Sequence, residues 1–272
     1  MPLDPTATFG TAQPVVGMVH LPALPGAPGY DEQAGRAGIR ERALADARAL
    51  ADGGVDGLVI ENYGDAPFYP ESVPEHVVAD MTCVAEVIST AVDLPLGINV
   101  LRNDATAALS VAAAVDADFV RVNVHTGARV TDQGVIEGRA HETLRLRDRL
   151  DADVAIFADV AVKHSAPLGN RTLETAVADV IDRGNADGLI VSGPATGRAT
   201  ETTDLRRVTD QRDDVDASIP VFVGSGVTPE NVGDLLSVAD GAIVGTALKT
   251  DGVTTNPVDP ERVSRIVAAR DR

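Results

Sequence analysis

Eight short apolar runs recur along the chain, each ending in glycine or a polar residue before a longer stretch of helical character begins. They span 15–19 (then His20), 57–60 (then Glu61 and Asn62), 96–100, 119–124 (then His125), 154–158 (then Asp159), 188–191 (then Ser192 and Gly193), 221–223 and 241–244. Runs this short, apolar on both faces and bounded by glycine, are the pattern of buried parallel strands. Between them the spacing predicts helices over 32–52, 75–92, 139–150, 173–183, 204–213, 229–237 and 261–269, with a further one capped at Asp104. Thr228-Pro229-Glu230 supplies an N-cap candidate, a proline at the first helical position and an early acid. Strictly alternating strands and helices predict an α/β protein, a single-domain (β/α)8 TIM barrel over residues 1–272. A doubly wound open sheet is the second arrangement, and the glycines that end the last two strands favour the barrel.

Two loops interrupt the alternation. Residues 63–74 hold Tyr63, Phe68 and Tyr69, and a loop of that length is expected to act as a lid or binding segment. Residues 126–138, with Gly127, Gly134 and Gly138, are expected to form a loop that is mobile or wraps something.

Composition refines this picture. Apolar residues make up 44% of the 272 and aromatics 3%, so the core is built from Val, Ala, Leu and Ile. The net charge of −18 is spread along the chain, and only Lys163 and Lys249 are lysines. Acidic, lysine-poor surfaces stay hydrated in molar salt, which points to a cytoplasmic protein of an extreme halophile. The same charge leaves no basic stripe for nucleic acid. Single Cys83 excludes an intrachain disulfide and is expected to be a buried structural thiol. No signal segment and no apolar run of about 18 residues is present, so no membrane span is expected.

Barrel active sites lie at the C-terminal ends of the strands. His20, Glu61, Asn62, Asn99, Arg121, Asn123, His125, Asp159 and Ser192 occupy such positions, with Arg102, Lys163, His164, Gly193 and Thr196 just beyond. Arg121 and Asn123 are two apart on one strand and point into the barrel together. A buried arginine needs a partner, which Glu61 or Asp159 can supply; the pair is either a structural ion pair or a grip on an anionic substrate. Asp159, Glu61, His20, His125, His164 and Lys163 are the candidate proton-transfer or nucleophilic groups, Lys163 through a Schiff base. Asn62, Asn99, Arg102, Arg121, Asn123, Ser192, Gly193 and Thr196 are the candidates for orienting a substrate. Gly224-Ser225-Gly226 and Gly245-Thr246, each followed by a helical segment, form a candidate phosphate cradle with Lys249 as its cation. A divalent metal among the acids and histidines remains open, although no HxH or HExxH spacing is present. No GxGxxG, P-loop or GxSxG motif occurs, so no organic cofactor is implied. A homo-oligomer is the default expectation.

Seven blocks, GMVHLPALPGAPG (17–29), ENYGDAPF (61–68), GINVLRND (97–104), RVNVHTGARVTDQGVIEG (121–138), DVAVKHSAPL (159–168), GLIVSGPATG (188–197) and GSGVTPENV through ADGAIVGTALK (224–249), resemble the BtpA/SgcQ family over nearly the full length. The resemblance implies a TIM-type barrel of the ribulose-phosphate-binding kind. One branch of that family is linked to photosystem I biogenesis and another to sugar-catabolism gene clusters with a nucleosidase-like label. The expectation is an enzyme for a phosphorylated sugar or nucleoside-derived metabolite, of isomerase, lyase or nucleosidase type. The alternative is a non-catalytic assembly factor.

Overall fold

All eight apolar runs form strands, and the computed structural model, which describes residues 2–161, 165–193 and 202–270, closes them into a parallel barrel. The first four are β1 (Val15–His20), β2 (Gly57–Glu61), β3 (Leu96–Asn99) and β4 (Phe119–Val122). After β4 the chain makes an antiparallel hairpin of β5 (Ala128–Thr131) and β6 (Gly134–Glu137), then returns to the barrel at β7 (Ala155–Ala161). The short β8 (Ala166–Pro167) pairs with β5, making a three-stranded sheet outside the barrel. The last three barrel strands are β9 (Gly188–Ser192), β10 (Val221–Gly224) and β11 (Gly241–Val244), and β11 pairs back onto β1. The 126–138 segment is therefore an ordered hairpin rather than a loop.

Helices fill the expected intervals with shifted ends, among them Gly35–Asp52, Glu75–Ala91 and Pro260–Arg270. The helix after β10 begins only at Val232, with Asn231 at the N-cap position. Thr228 is part of the preceding turn instead, its N–H donating to Asn231 Oδ1 at 2.7 Å. Cys83, expected to be buried, is exposed on the helix Glu75–Ala91.

Alternate residues of each strand face the barrel axis, and these inward positions divide into an apolar floor and a polar mouth. Phe119, Phe157 and Phe222 stack edge-to-face across the floor, with ring centroids 5.3 and 5.0 Å apart. Each ring lies beside a glycine on a neighbouring strand: Phe119 beside Gly97, Phe157 beside Gly188, Phe222 beside Gly241. A methyl group at any of these glycines would fall 2.2–2.5 Å from the ring. A short helix the spacing does not announce, Pro5–Phe9, is capped by the Asp4 side chain and inserts Phe9 between Phe119 and Phe222. Phe9 thereby adds a fourth ring to the apolar floor.

One device repeats at the start of every second strand. Asp56, Asp118, Asp187 and Asp240 each stand immediately before β2, β4, β9 and β11. Their carboxylates accept from the N–H of Val15, Leu96, Ile156 and Val221 at 2.7–2.9 Å. Their own N–H groups donate back to the carbonyls of the same four residues. Three of the acids also meet an arginine from the surrounding helices: Arg270 for Asp56, Arg147 for Asp187 and Arg212 for Asp240. Barrel strands are thereby joined in pairs at their N-terminal ends.

Candidate active site at the barrel mouth

At the mouth the inward positions turn polar. Arg121 and Asp159 form a buried ion pair, Nη2 lying 3.0 Å from Oδ1 and 3.1 Å from Oδ2. Asn123 donates to Asp159 Oδ2 at 2.6 Å, and Ser192 Oγ lies 3.2 Å from Arg121 Nη2 and 3.3 Å from Asp159 Oδ1. Asn99 donates to the Arg121 carbonyl at 3.0 Å and to Asn123 Oδ1 at 3.3 Å, while its own Oδ1 is buried with no donor among the described residues. Burial works against the charge of the Arg121 guanidinium, but Asp159 and then Glu61 outweigh it and hold its pKa above the ordinary arginine value. Arg121 is a fixed cation, and Asp159 rather than Glu61 is its direct partner.

A cavity of about 330 Å3 opens beside this pair. Its walls include Arg121, His20, Glu61, the turn from Ser225 to Glu230, and Gly245 to Ala247, with Arg262 and Arg265 from the last helix. His20 Nε2 stands 3.7 Å from Glu61 Oε1. Gly245 leaves room for the imidazole, because a methyl there would sit 2.8 Å from His20 Cε1. Ser225 and Gly226 are consecutive positive-φ residues, at 95° and 68°. A serine in that region is held at a cost of order 1–3 kcal/mol, and such residues concentrate at ligand clamps.

Several expected site residues lie elsewhere. Lys249 does not reach the cavity: it is fully buried against the helix Gly35–Asp52 and pairs with Asp46 at 3.0 Å. Burial lowers its ammonium pKa against the opposing pull of Asp46. Beside Arg121, the cations on the cavity wall are Arg262 and Arg265, which sequence reading missed because they look like any charged face of an amphipathic helix. His125 also turns away from the mouth; its Nε2 bonds the Gly184 carbonyl at 2.8 Å, and burial lowers its pKa below the ordinary histidine value. Asn62 braces loops, bonding Asp65 and both backbone groups of Leu101. Arg102 is buried, with its N–H on the Tyr69 carbonyl at 3.3 Å, so the aromatic loop after β2 is anchored there. Gly193 is buried after β9. Lys163, His164 and Thr196 lie outside the described residues. Among the described residues no three His, Cys, Asp or Glu side chains gather in a group that could hold a metal ion.

A closed parallel (β/α)8 barrel with its polar groups converging on one mouth places this chain among the TIM-barrel proteins. More narrowly, the chain belongs to the BtpA family, whose model matches residues 11–272. It is 48% identical over 267 residues to the photosystem I biogenesis protein BtpA of Synechocystis, covering 98% of this chain and 91% of that protein. It is 34% identical to the putative sgc region protein SgcQ of Escherichia coli, covering 95% and 94%. Among solved structures, N-(5'-phosphoribosyl)anthranilate isomerase from Pyrococcus furiosus superposes with a TM-score of 0.57 at 14% identity, covering 95% of this chain and 98% of that one. The last likeness is one of fold. No helix among the described residues is long and apolar enough to cross a membrane.

Proposed function

We propose that this protein is an enzyme acting on a phosphorylated sugar or nucleoside-derived metabolite, with the phosphate held after β10 and β11. One observation carries the reading: a single cavity joins the positive-φ turn at Ser225–Gly226, the Gly245–Thr246 segment and two arginines to a buried Glu61–His20 pair. Consecutive N–H groups of such a turn form an anion-binding concavity, and Arg262 and Arg265 add charge that the backbone lacks. Arg121 on the cavity wall orients the sugar. Glu61, 2% exposed, moves the proton, with His20 as its neighbour. Asp159, committed to Arg121 and Asn123, keeps the guanidinium aimed. The barrel neighbour named for a phosphoribosyl substrate supports the same class.

Thermal shifts in molar KCl across sugar phosphates, free nucleosides, nucleotides and divalent metals test the reading. A ligand at 100 times its Kd stabilises by about 2.7 kcal/mol. The expected result is a rise with one phosphorylated class, lost in Arg262→Gln. No response to any phosphorylated compound would sink the proposal.

The name of the Synechocystis relative favours a second reading, a non-catalytic assembly factor. That reading expects Arg121→Met and Glu61→Gln to leave cellular function intact while surface changes abolish it. The enzyme reading expects the reverse.

A further inference from the structure

The Arg121–Asp159 pair is the wall between two cavities. Arg121 lines the one just described, and Asp159 lines a second of about 190 Å3 on the other side, with Asn123, Arg129, Arg171, Thr172 and Pro167. The second cavity is covered by the β5–β6 hairpin and β8, an excursion that the barrel itself does not need. Its charges do not cancel. Asp159 is neutralised by Arg121, and Arg171 is neutralised by Asp179 at 2.6 Å. Arg129, on β5 and half-buried, bonds only Ser165, through Oγ at 2.6 Å and the carbonyl at 3.4 Å, and has no carboxylate partner among the described residues. In a chain of net charge −18, where acids outnumber basic residues 41 to 23, this arginine lines a cavity with no acid at ion-pair distance among the described residues. Burial lowers its pKa below the ordinary arginine value, against the pull of Asp159, so an anion in the cavity would relieve the guanidinium.

Building on the phosphate site above, we infer that the substrate is doubly anionic, its second oxyanion, a carboxylate or a phosphate, held by Arg129 in the cavity beneath the β5–β6 hairpin. The sugar then spans the mouth over Arg121 and Asp159, which places its middle carbons within reach of Glu61. A hairpin that carries the second cation also explains why the barrel is interrupted at this point.

Calorimetric titration with ribose 5-phosphate, ribulose 1,5-bisphosphate and 5-phosphoribonate, on wild type and variants, tests this. In the wild type the two doubly anionic ligands should bind roughly ten- to a hundredfold tighter than the monophosphate, the range expected for a hydrogen-bonded charge. Whichever of the two gains more identifies the second group as phosphate or carboxylate. Arg129→Gln should erase that gain and leave ribose 5-phosphate unchanged, whereas Arg129→Lys should restore part of it. Ser165→Ala, which removes the short Oγ tie but keeps the cation and its bond to the carbonyl, should retain the gain; loss in this variant equal to that in Arg129→Gln would assign Arg129 a structural role and overturn the proposal. Equal binding of all three ligands by the wild type, or a gain that survives Arg129→Gln, would also overturn it while leaving the phosphate site standing. Failure of all three to bind would overturn both.

Discussion

Lys249 shows what burial does to a charged residue. Its ammonium and Asp46 are 3.0 Å apart with almost no exposure, and Asp46 also accepts from the Val258 N–H at 2.8 Å. Removing one partner strands the other, which typically costs about 3–5 kcal/mol. Lys249→Met should therefore lower the urea midpoint strongly while ligand affinity, measured on the folded fraction, stays as it was; lost affinity without lost stability would return Lys249 to the phosphate. His125 predicts a pH effect. Its folded pKa lies below the ordinary 6.5, so the folded state favours the neutral ring. That contribution is complete above the unfolded value and declines as pH falls below it, because the unfolded chain then takes up a proton the folded one refuses. Denaturation at pH 7.5 and 5.5 should show His125→Gln losing less stability at the lower pH. An equal loss at both would mean that the ring is not held neutral.

At the level of elements, the alternation of inward and outward positions explains what the sequence reveals. His20, Glu61, Asn99, Arg121, Asp159 and Ser192 all fall at strand ends with a period of two, so their convergence is legible from the runs alone. Lys249 follows a short helical turn, Thr246–Leu248, which rotates the chain from the mouth toward the outer helices. No periodicity over four residues announces that rotation. The hairpin is similarly illegible, since three glycines in the thirteen residues 126–138 read as loop until β8 supplies the third strand. The aspartates before alternate strands were also there to read, as V-D-G, A-D-F and two A-D-G triplets, but their meaning needs the neighbouring strand. Asp118→Ala leaves the Leu96 N–H without its acceptor and should cost about 1–3 kcal/mol in chemical denaturation. Asp187→Ala should cost more, because Arg147 loses its partner as well. Equal losses would mean that the arginine adds nothing.

Across the whole molecule, charge decides the working conditions. With 41 acids against 23 basic residues, self-repulsion is strongest when salt is dilute. The Debye length falls from about 10 Å at 0.1 M to about 3 Å at 1 M salt, so the melting temperature should rise across that range of KCl. A flat response would show that local ion pairs already balance the surface. Against this negative field the cavity walls at the mouth carry Arg121, Arg129, Arg262 and Arg265, the cations an anion would meet there.

The four reciprocal aspartates bear on tolerance to change. Each ties one strand to the next, and each stands at the same place in a two-strand, two-helix quarter of the ring. All four stand where the strands begin, whereas the polar groups of the mouth stand where the strands end. Substitutions at the mouth therefore leave every clasp untouched, and the ring can be held by one set of residues while another set is altered.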